Sequence, residues 1–247
     1  MSAPALSLVF PVFDEEDNVG PLLASAVALG RRLGRSFEII VVDDGSRDES
    51  AGRIAAARAS HPEIRAVHHA ANRGYGAALR SGLREARGAL VFFSDADLQF
   101  DLDEIERLLA HSGSFDIVAG YRAPRRDHWL RHVLAWGWGG LVNALFGLGV
   151  RDIDCAFKLF RREVLDAIPI ASLGAFINTE MLVRARAAGF RIRQVPVTHR
   201  PRRAGRPTGA SPRVIARALL ELATLYRELR AARSRPDARA LPARPSP

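Results

Sequence analysis

Two aspartates one residue apart, Asp95 and Asp97 in the stretch SDADLQ, follow directly on the apolar run GALVFF. Extended backbone alternates its side chains, so the two carboxylates point the same way if the strand persists through these residues. Like charges that close repel, and either a cation between them or open water must relieve them. Mg²⁺ or Mn²⁺ suits such a pair, because both take carboxylate oxygens, keep some water and bridge substrate phosphates. Gln99, two positions on, can add an amide oxygen to the same shell.

Three other stretches carry polar groups at comparable places. VVDDGSRD puts Asp43 and Asp44 at the end of an apolar run. Asp-Gly can close a hairpin, but the residues after Gly45 have helical periodicity, so the pair sits at a strand end where it can accept hydrogen bonds from nucleotide hydroxyls or base. Capping of the next helix by Ser46 or Asp48 is the plainer use of this turn. FPVFDEEDN, at the end of the first apolar run, contains no glycine. A dinucleotide site wants G-x-G-x-x-G at this turn, so NAD or FAD bound in that way is disfavoured. NRGYGAAL has two clustered glycines and lacks a third; alone it reads as a turn before a helix.

The elements that position these stretches alternate as a parallel α/β sheet requires. Strands are expected at 6–10, 37–44, 64–69, 89–97 and 115–122, with amphipathic helices at 18–33, 48–59, from Gly74 and from Asp101 between them. Each charged or glycine-bearing stretch falls at a strand's C-terminal end, the edge where open α/β sheets bind ligands. Residues 129–150 are apolar and rich in Trp and Gly, interrupted by Arg131, His132 and Asn143. They read as a buried or interfacial helix and not as a membrane span, because charge inside a span is costly. A strand in CAFKLFRREVL, a helix and strand in NTEMLVRARAAGFRIRQVPV, and a last helix capped by Ser211 and Pro212 complete the chain. The division expected is a catalytic domain at 1–210, an amphipathic helix at 211–234 and a disordered basic tail at 235–247.

Composition removes further classes. A 48% hydrophobic content is that of a folded core, and the single cysteine, Cys155, rules out an intramolecular disulfide and a thiolate zinc cluster. The N-terminus has no basic stretch before its short apolar run, so no signal peptide is expected and the expected location is cytoplasmic. The net charge of +9 lies wholly in residues 200–247, with 12 arginines against three acids. The body is neutral, which argues against nucleic acid as a partner. Lys158 is the sole lysine among 36 basic residues, so arginine as such is weak evidence for any one site.

In their fixed order, P-x-F-D-E-E-x-N, VVDDGSRD, NRGYGAAL and SDADLQ resemble the motifs of the family 2 glycosyltransferases of GT-A fold, closest to the dolichol-phosphate mannosyltransferase and polyprenyl-phosphate glycosyltransferase branch. The resemblance covers about residues 5–205. It implies a Rossmann-like, mostly parallel sheet flanked by helices, and an inverting hexosyl transfer from a nucleoside-diphosphate sugar. It also implies a nucleotide-sugar site at Pro11, Phe13, Glu15, Asp43, Asp44, Gly74, Asp95, Ala96, Asp97 and Arg122, and a metal held by Asp95, Asp97 and Gln99. GYR, Arg131 and DIDCAFKLFRR look like segments near the donor phosphates and acceptor, and VPVTHRPRRAGRPTG like a closing loop that brings Arg202 or Arg203 to phosphate. The chain departs from the pattern at Asp14 (usually Asn), Ala156 (usually Gly) and Pro207 (usually Ser).

Two acceptors stay open. A polyprenyl phosphate, largely dianionic near neutral pH, needs no general base; a hydroxyl needs one, for which Asp152 and Asp154 are the candidates, and Asp154 is taken as the catalytic one. GDP-mannose and UDP-glucose are equally defensible donors. A nucleotidyltransferase would carry a basic glycine-rich loop where FPVFDEEDN stands, and a non-catalytic nucleotide-binding scaffold would be expected to lose the metal pair first. The last helix, with Ile215, Leu219, Leu222, Tyr226 and Leu229 in one seam, could anchor the enzyme at the cytoplasmic face of a membrane, dock on a membrane-protein tether, form a homodimer, or close the core.

Overall fold

The computed structural model describes residues 3–123, 129–201 and 212–233. The first crossover units run β1 (Leu6–Val12), α1 (Glu16–Arg32), β2 (Phe37–Asp43), α2 (Ser50–Ser60), β3 (Ile64–His68), α3 (Tyr75–Glu85) and β4 (Leu90–Ser94). A short 3₁₀ turn (Leu102–Glu104) and α4 (Ile105–Leu109) lead to β5 (Ile117–Arg122). Then follow α5 (Trp129–Phe146), β6 (Phe157–Arg161), α6 (Arg162–Ala167), α7 (Ile177–Ala187), β7 (Ile192–Val197) and α8 (Pro212–Arg233).

One seven-stranded sheet results, in the order β3-β2-β1-β4-β6-β5-β7. The pairings β1–β2, β1–β4, β2–β3 and β5–β7 are parallel, whereas β6 runs antiparallel to both β4 and β5. β1 is buried along its whole length, as a strand covered by helices on both faces must be. Two apolar layers cover the sheet. One gathers Val9, Ile40, Phe93 and Phe160 with Met181 and Leu182 of α7 and Leu222 and Leu225 of α8; the other gathers Leu8, Phe10, Phe92 and Phe157 with α1.

The winding reverses at the middle of the sheet. β1, β2 and β3 are laid down in one direction, and α3 then returns the chain to the other side of β1, where β4 pairs. The C-terminal ends of β1 and β4 therefore flank a topological switch point, the crevice where such sheets bind ligands. The strand expected at 89–97 stops at Ser94, so alternation along a strand is not what pairs Asp95 with Asp97. A turn does so instead, with Leu98 in the left-handed region at φ 58°.

α5 forms as expected. No helix among the described residues is long and apolar enough to cross a membrane. The capping expected of Ser211 lies outside the described residues, and α8 starts at Pro212.

Candidate functional site

The β1 and β2 tips are laced together. Asp14, with φ 51°, donates its N–H to Ser46 Oγ at 3.0 Å, and its Oδ1 accepts from Arg47 N at 2.8 Å. Glu15 N donates to Ser50 Oγ, and Asp48 accepts from both Glu16 N and Ser50 N. These bonds satisfy free N–H groups at the starts of α1 and α2. Phe13 is left as the one large apolar side chain exposed at this edge, suited to lie against a flat ring. Pro11 is buried in β1, and the Glu15 carboxylate accepts from Asn18 Nδ2 at 2.5 Å.

Asp43 and Asp44 are buried and turned toward the protein. Asp43 accepts from Ser46 N at 3.0 Å and lies 3.2 Å from His68 Nδ1. Asp44 accepts from Arg73 N at 3.0 Å and Gly74 N at 2.8 Å, and lies 2.6 Å from His69 Nδ1, whose Nε2 meets Ser81 Oγ at 2.9 Å. Asp44 thus ties the loop 72–74 to the end of β2. Gly74 holds φ 99°, and a Cβ there would stand 2.7 Å from Leu173 O. At Gly76 a Cβ would stand 2.5 Å from Gly174 O. The two glycines let the first turn of α3 dock on the backbone of residues 173–174, with Gly76 N donating to Leu173 O at 3.0 Å. That docking places Tyr75, a residue the motif reading passed over, beside Asp95.

At the β4 tip, Asp97 is buried and accepts from Gln99 N at 3.2 Å, while Asp95 Oδ1 is buried with no hydrogen-bond partner among the described residues. Burial first, and the Asp97 charge second, push the Asp95 pKa up to about 7; Tyr75, Lys158 and Arg122 pull the other way. Ala96, between them, is buried. The Gln99 side chain donates to Arg200 O at 3.0 Å, and Arg200 N returns a bond to Gln99 O at 2.8 Å. Gln99 therefore joins the β4 tip to the segment after β7, and Phe100 bridges His199 alongside it.

Arg122, at the end of β5, is held by Asp152: Nε to Oδ2 and a terminal nitrogen to Oδ1, each at 2.8 Å, with the Arg122 N–H on Oδ2 at 3.2 Å. Asp152 is buried and Asp154 exposed. Lys158 of β6, fully buried, reaches the same segment from beneath, donating to Ile153 O at 3.0 Å and to Cys155 O. Arg131 lies within α5, and Arg202 and Arg203 lie outside the described residues. The site thus gathers the tips of β1, β4 and β5 with the segment before β6, and Asp43, Asp44 and Gly74 brace it from behind.

A divalent cation fits this arrangement. Two neighbouring carboxylates, one with a buried oxygen that has no hydrogen-bond partner among the described residues, supply hard oxygen donors and a concentration of negative charge. No group of three or more His, Cys, Asp or Glu among the described residues could hold a metal, so the remaining ligands would be water and substrate oxygens, as Mg²⁺ prefers.

Residues 7–168 match the family model described as glycosyl transferase family 2. The undecaprenyl-phosphate 4-deoxy-4-formamido-L-arabinose transferase of Edwardsiella ictaluri is 33% identical over 204 residues, covering 81% of this chain and 61% of that protein. The enzyme of the same name from Pseudomonas paraeruginosa is 38% identical over 166 residues, covering 66% of this chain and 49% of that protein. The chain thus spans about half to three fifths of the length of these relatives. Among solved structures, glucosyl-3-phosphoglycerate synthase from Mycobacterium tuberculosis, in complex with Mn²⁺, UDP and glucosyl-3-phosphoglycerate, superposes with TM-score 0.62 at 21% identity, covering 92% of this chain and 78% of that one. A further mycobacterial protein superposes at 0.65 with 27% identity, covering 92% of this chain and 73% of that one. The sheet order, the motifs and these matches agree: the chain belongs to the family 2 glycosyltransferases and has their GT-A fold.

Proposed function

We propose that this chain transfers a sugar from a nucleoside diphosphate to a polyprenyl phosphate. The observation that carries the reading is the Asp95–Asp97 pair at the switch point, Asp97 buried and Asp95 partly so, with the charge of Arg122, itself held by Asp152, acting on Asp95. Asp95 and Asp97 would hold Mg²⁺ or Mn²⁺, which supplies charge neutralisation for the departing diphosphate. Phe13 presents a flat apolar surface to the nucleobase, and the laced loops of β1 and β2 fix its place. Arg122, with Asp152 locking its plane, is the guanidinium we assign to the phosphate oxygens. By the family resemblance, Arg131, Arg202 and Arg203 are the further candidates for phosphate on the acceptor side.

A phosphate acceptor brings its own charge and attacks without a base, consistent with the engagement of Asp152 by Arg122. The relatives of known name act on undecaprenyl phosphate, which supports this class of acceptor. A hydroxyl acceptor is the second reading, and the exposed Asp154 is the observation that favours it.

The lipid acceptor places the enzyme at a membrane surface. Among the described residues, large apolar side chains stand exposed on α5 and α8 at Trp136, Leu141, Leu145, Ile215, Leu219 and Leu220. With the arginine-rich end of the chain, they suit the cytoplasmic face of an anionic bilayer. The division into a catalytic domain at 1–210, a surface helix at 211–234 and a basic tail at 235–247 follows from that reading.

The test incubates the full chain with radiolabelled GDP-mannose, UDP-glucose and an activated 4-deoxy-4-formamido-L-arabinose, each with Mg²⁺ or Mn²⁺, with and without undecaprenyl phosphate. An acid-labile lipid-linked sugar from one donor is expected. An acid-stable product on a hydroxyl supports the second reading, and no transfer under any condition refutes both.

A further inference from the structure

Lys158 is the sole lysine of the chain and among its most buried side chains, at 0% exposure. Its ammonium spends three donors on neutral oxygens: Ile153 O at 3.0 Å, Cys155 O, and Asn178 Oδ1 at 2.9 Å. It also stands 5.5 Å from the centroid of the Phe93 ring. No salt bridge from it to a carboxylate is found among the described residues. A buried ion without a direct counter-ion is costly, and an apolar side chain of the same size would serve packing better.

Its place explains the cost. Lys158 pairs with Phe93 across the β4–β6 ladder, two residues before Asp95. Burial lowers the ammonium's pKa, and the neighbouring Cys155, Asp154, Asp152 and Asp95 hold it up. A compact ammonium with three donors also suits a tight ring of carbonyls in a way that the planar fork of arginine does not.

We propose that Lys158 is the standing counter-charge beneath the Asp95–Asp97 pair, a positioning residue that tempers the pair's hold on the divalent cation while fixing the segment 152–155 that locks Arg122. It repels the cation mildly, so that the metal-bound nucleotide can leave after transfer. This rests on the metal-dependent reading above, and its test separates the two. A purely structural lysine would give weaker or unchanged Mn²⁺ binding when replaced, whereas a counter-charge gives tighter binding.

The experiment measures binding of Mn²⁺ alone to the full chain, without nucleotide or acceptor, from the electron paramagnetic resonance signal of the free ion. Lys158→Met is expected to bind Mn²⁺ about tenfold more tightly than the parent, from loss of one positive charge at short range. Asn178→Asp is nearly isosteric and sets a carboxylate against the ammonium; it is expected to tighten binding as Lys158→Met does, and it decides the matter if Lys158→Met does not fold. Unchanged or weaker Mn²⁺ binding in Asn178→Asp, or in folded Lys158→Met, overturns the counter-charge. No Mn²⁺ binding by the parent overturns the metal-dependent reading and this inference with it.

Discussion

The Arg122 guanidinium and the Asp152 carboxylate meet edge to edge through two 2.8 Å hydrogen bonds, and both side chains are largely buried. The pair is rigid because Asp152 also accepts the Arg122 backbone N–H, so residue and counter-ion are fixed at three points. An arginine held in this way presents a preset orientation to an incoming phosphate at little further entropic cost. Asp152→Asn is expected to lower kcat/KM for polyprenyl phosphate about 100-fold with nucleotide binding little changed. Steady-state kinetics with each substrate varied would show it, and an unaltered acceptor KM and kcat would refute the role.

Because Asp152 serves Arg122, Asp154 is the residue that separates the two acceptor classes. With a phosphate acceptor, Asp154→Asn is expected to retain activity within about threefold of the parent. A hydroxyl acceptor predicts a fall of about 10²–10⁴, the usual contribution of a general base. Initial rates across pH 6–9 with the product's acid stability measured in parallel distinguish them.

The cation reading gives a direct expectation for Asp97. The residue is buried at a turn beyond β4 and outside the apolar layers, so Asp97→Asn should melt within a few degrees of the parent while turnover drops at least about 100-fold. Chelation should produce the same loss, reversed by added Mn²⁺. Full turnover in chelator would refute the metal-dependent mechanism.

Asp95 carries a stability signature. Its pKa in the folded chain is raised from the ordinary 3.8 to about 7. Between those values the folded state holds a proton that the unfolded state releases, so stability is greatest at the acid end of the window and falls as pH rises through 7. In chelator, Tm is expected to drop by about 5 °C between pH 5 and 8 beyond the drop seen in Asp95→Asn. Asp95→Asn should accordingly melt above the parent at pH 8, and Mn²⁺ should raise only the parent. Parallel Tm–pH curves for the two proteins would show that Asp95 is not perturbed.

Most of the sheet could be read from the chain because its strands are short apolar runs bounded by polar residues or glycine, and the crossovers between the first of them have helical period. The four motifs fell at strand tips for the same reason. What could not be read is the use made of each polar group. Asp43 and Asp44 also accept from loop N–H groups and lie against histidines, and apart from Ser46 these contacts come from residues 25–30 positions away. The glycines of NRGYGAAL form the expected turn before a helix, but they also meet the backbone of residues 173–174, about 100 positions along, a distance over which no local pattern speaks. Tyr75 and Lys158 lay inside recognised motifs, and only the pairing of β4 with β6 reveals that Lys158 stands opposite Phe93, two residues before Asp95.

The seam expected along the last helix is split by the fold. Leu222 is buried in the core and Tyr226 meets Phe146 of α5 at 5.9 Å between ring centroids, whereas Ile215 and Leu219 remain exposed. On other faces Trp136 is 82% and Leu220 71% exposed, values out of keeping with a surface that meets only water. Removing α8 outright would strip Leu222 and Leu225 from the core, so substitutions on its outer side are the sound probe. Trp136→Ser combined with Leu220→Ser is expected to lower the affinity for anionic vesicles about tenfold while leaving Tm unchanged, since each side chain loses burial only in the bound state. Binding of the parent should weaken at high salt and on neutral vesicles, because each basic residue near an anionic surface contributes roughly 1 kcal/mol. Co-sedimentation gives both comparisons, and sedimentation velocity reports whether the same face instead joins two copies. Equal pelleting of parent and double variant with both vesicle types would remove this face from membrane binding, and no pelleting of either would turn attention to a membrane-protein tether.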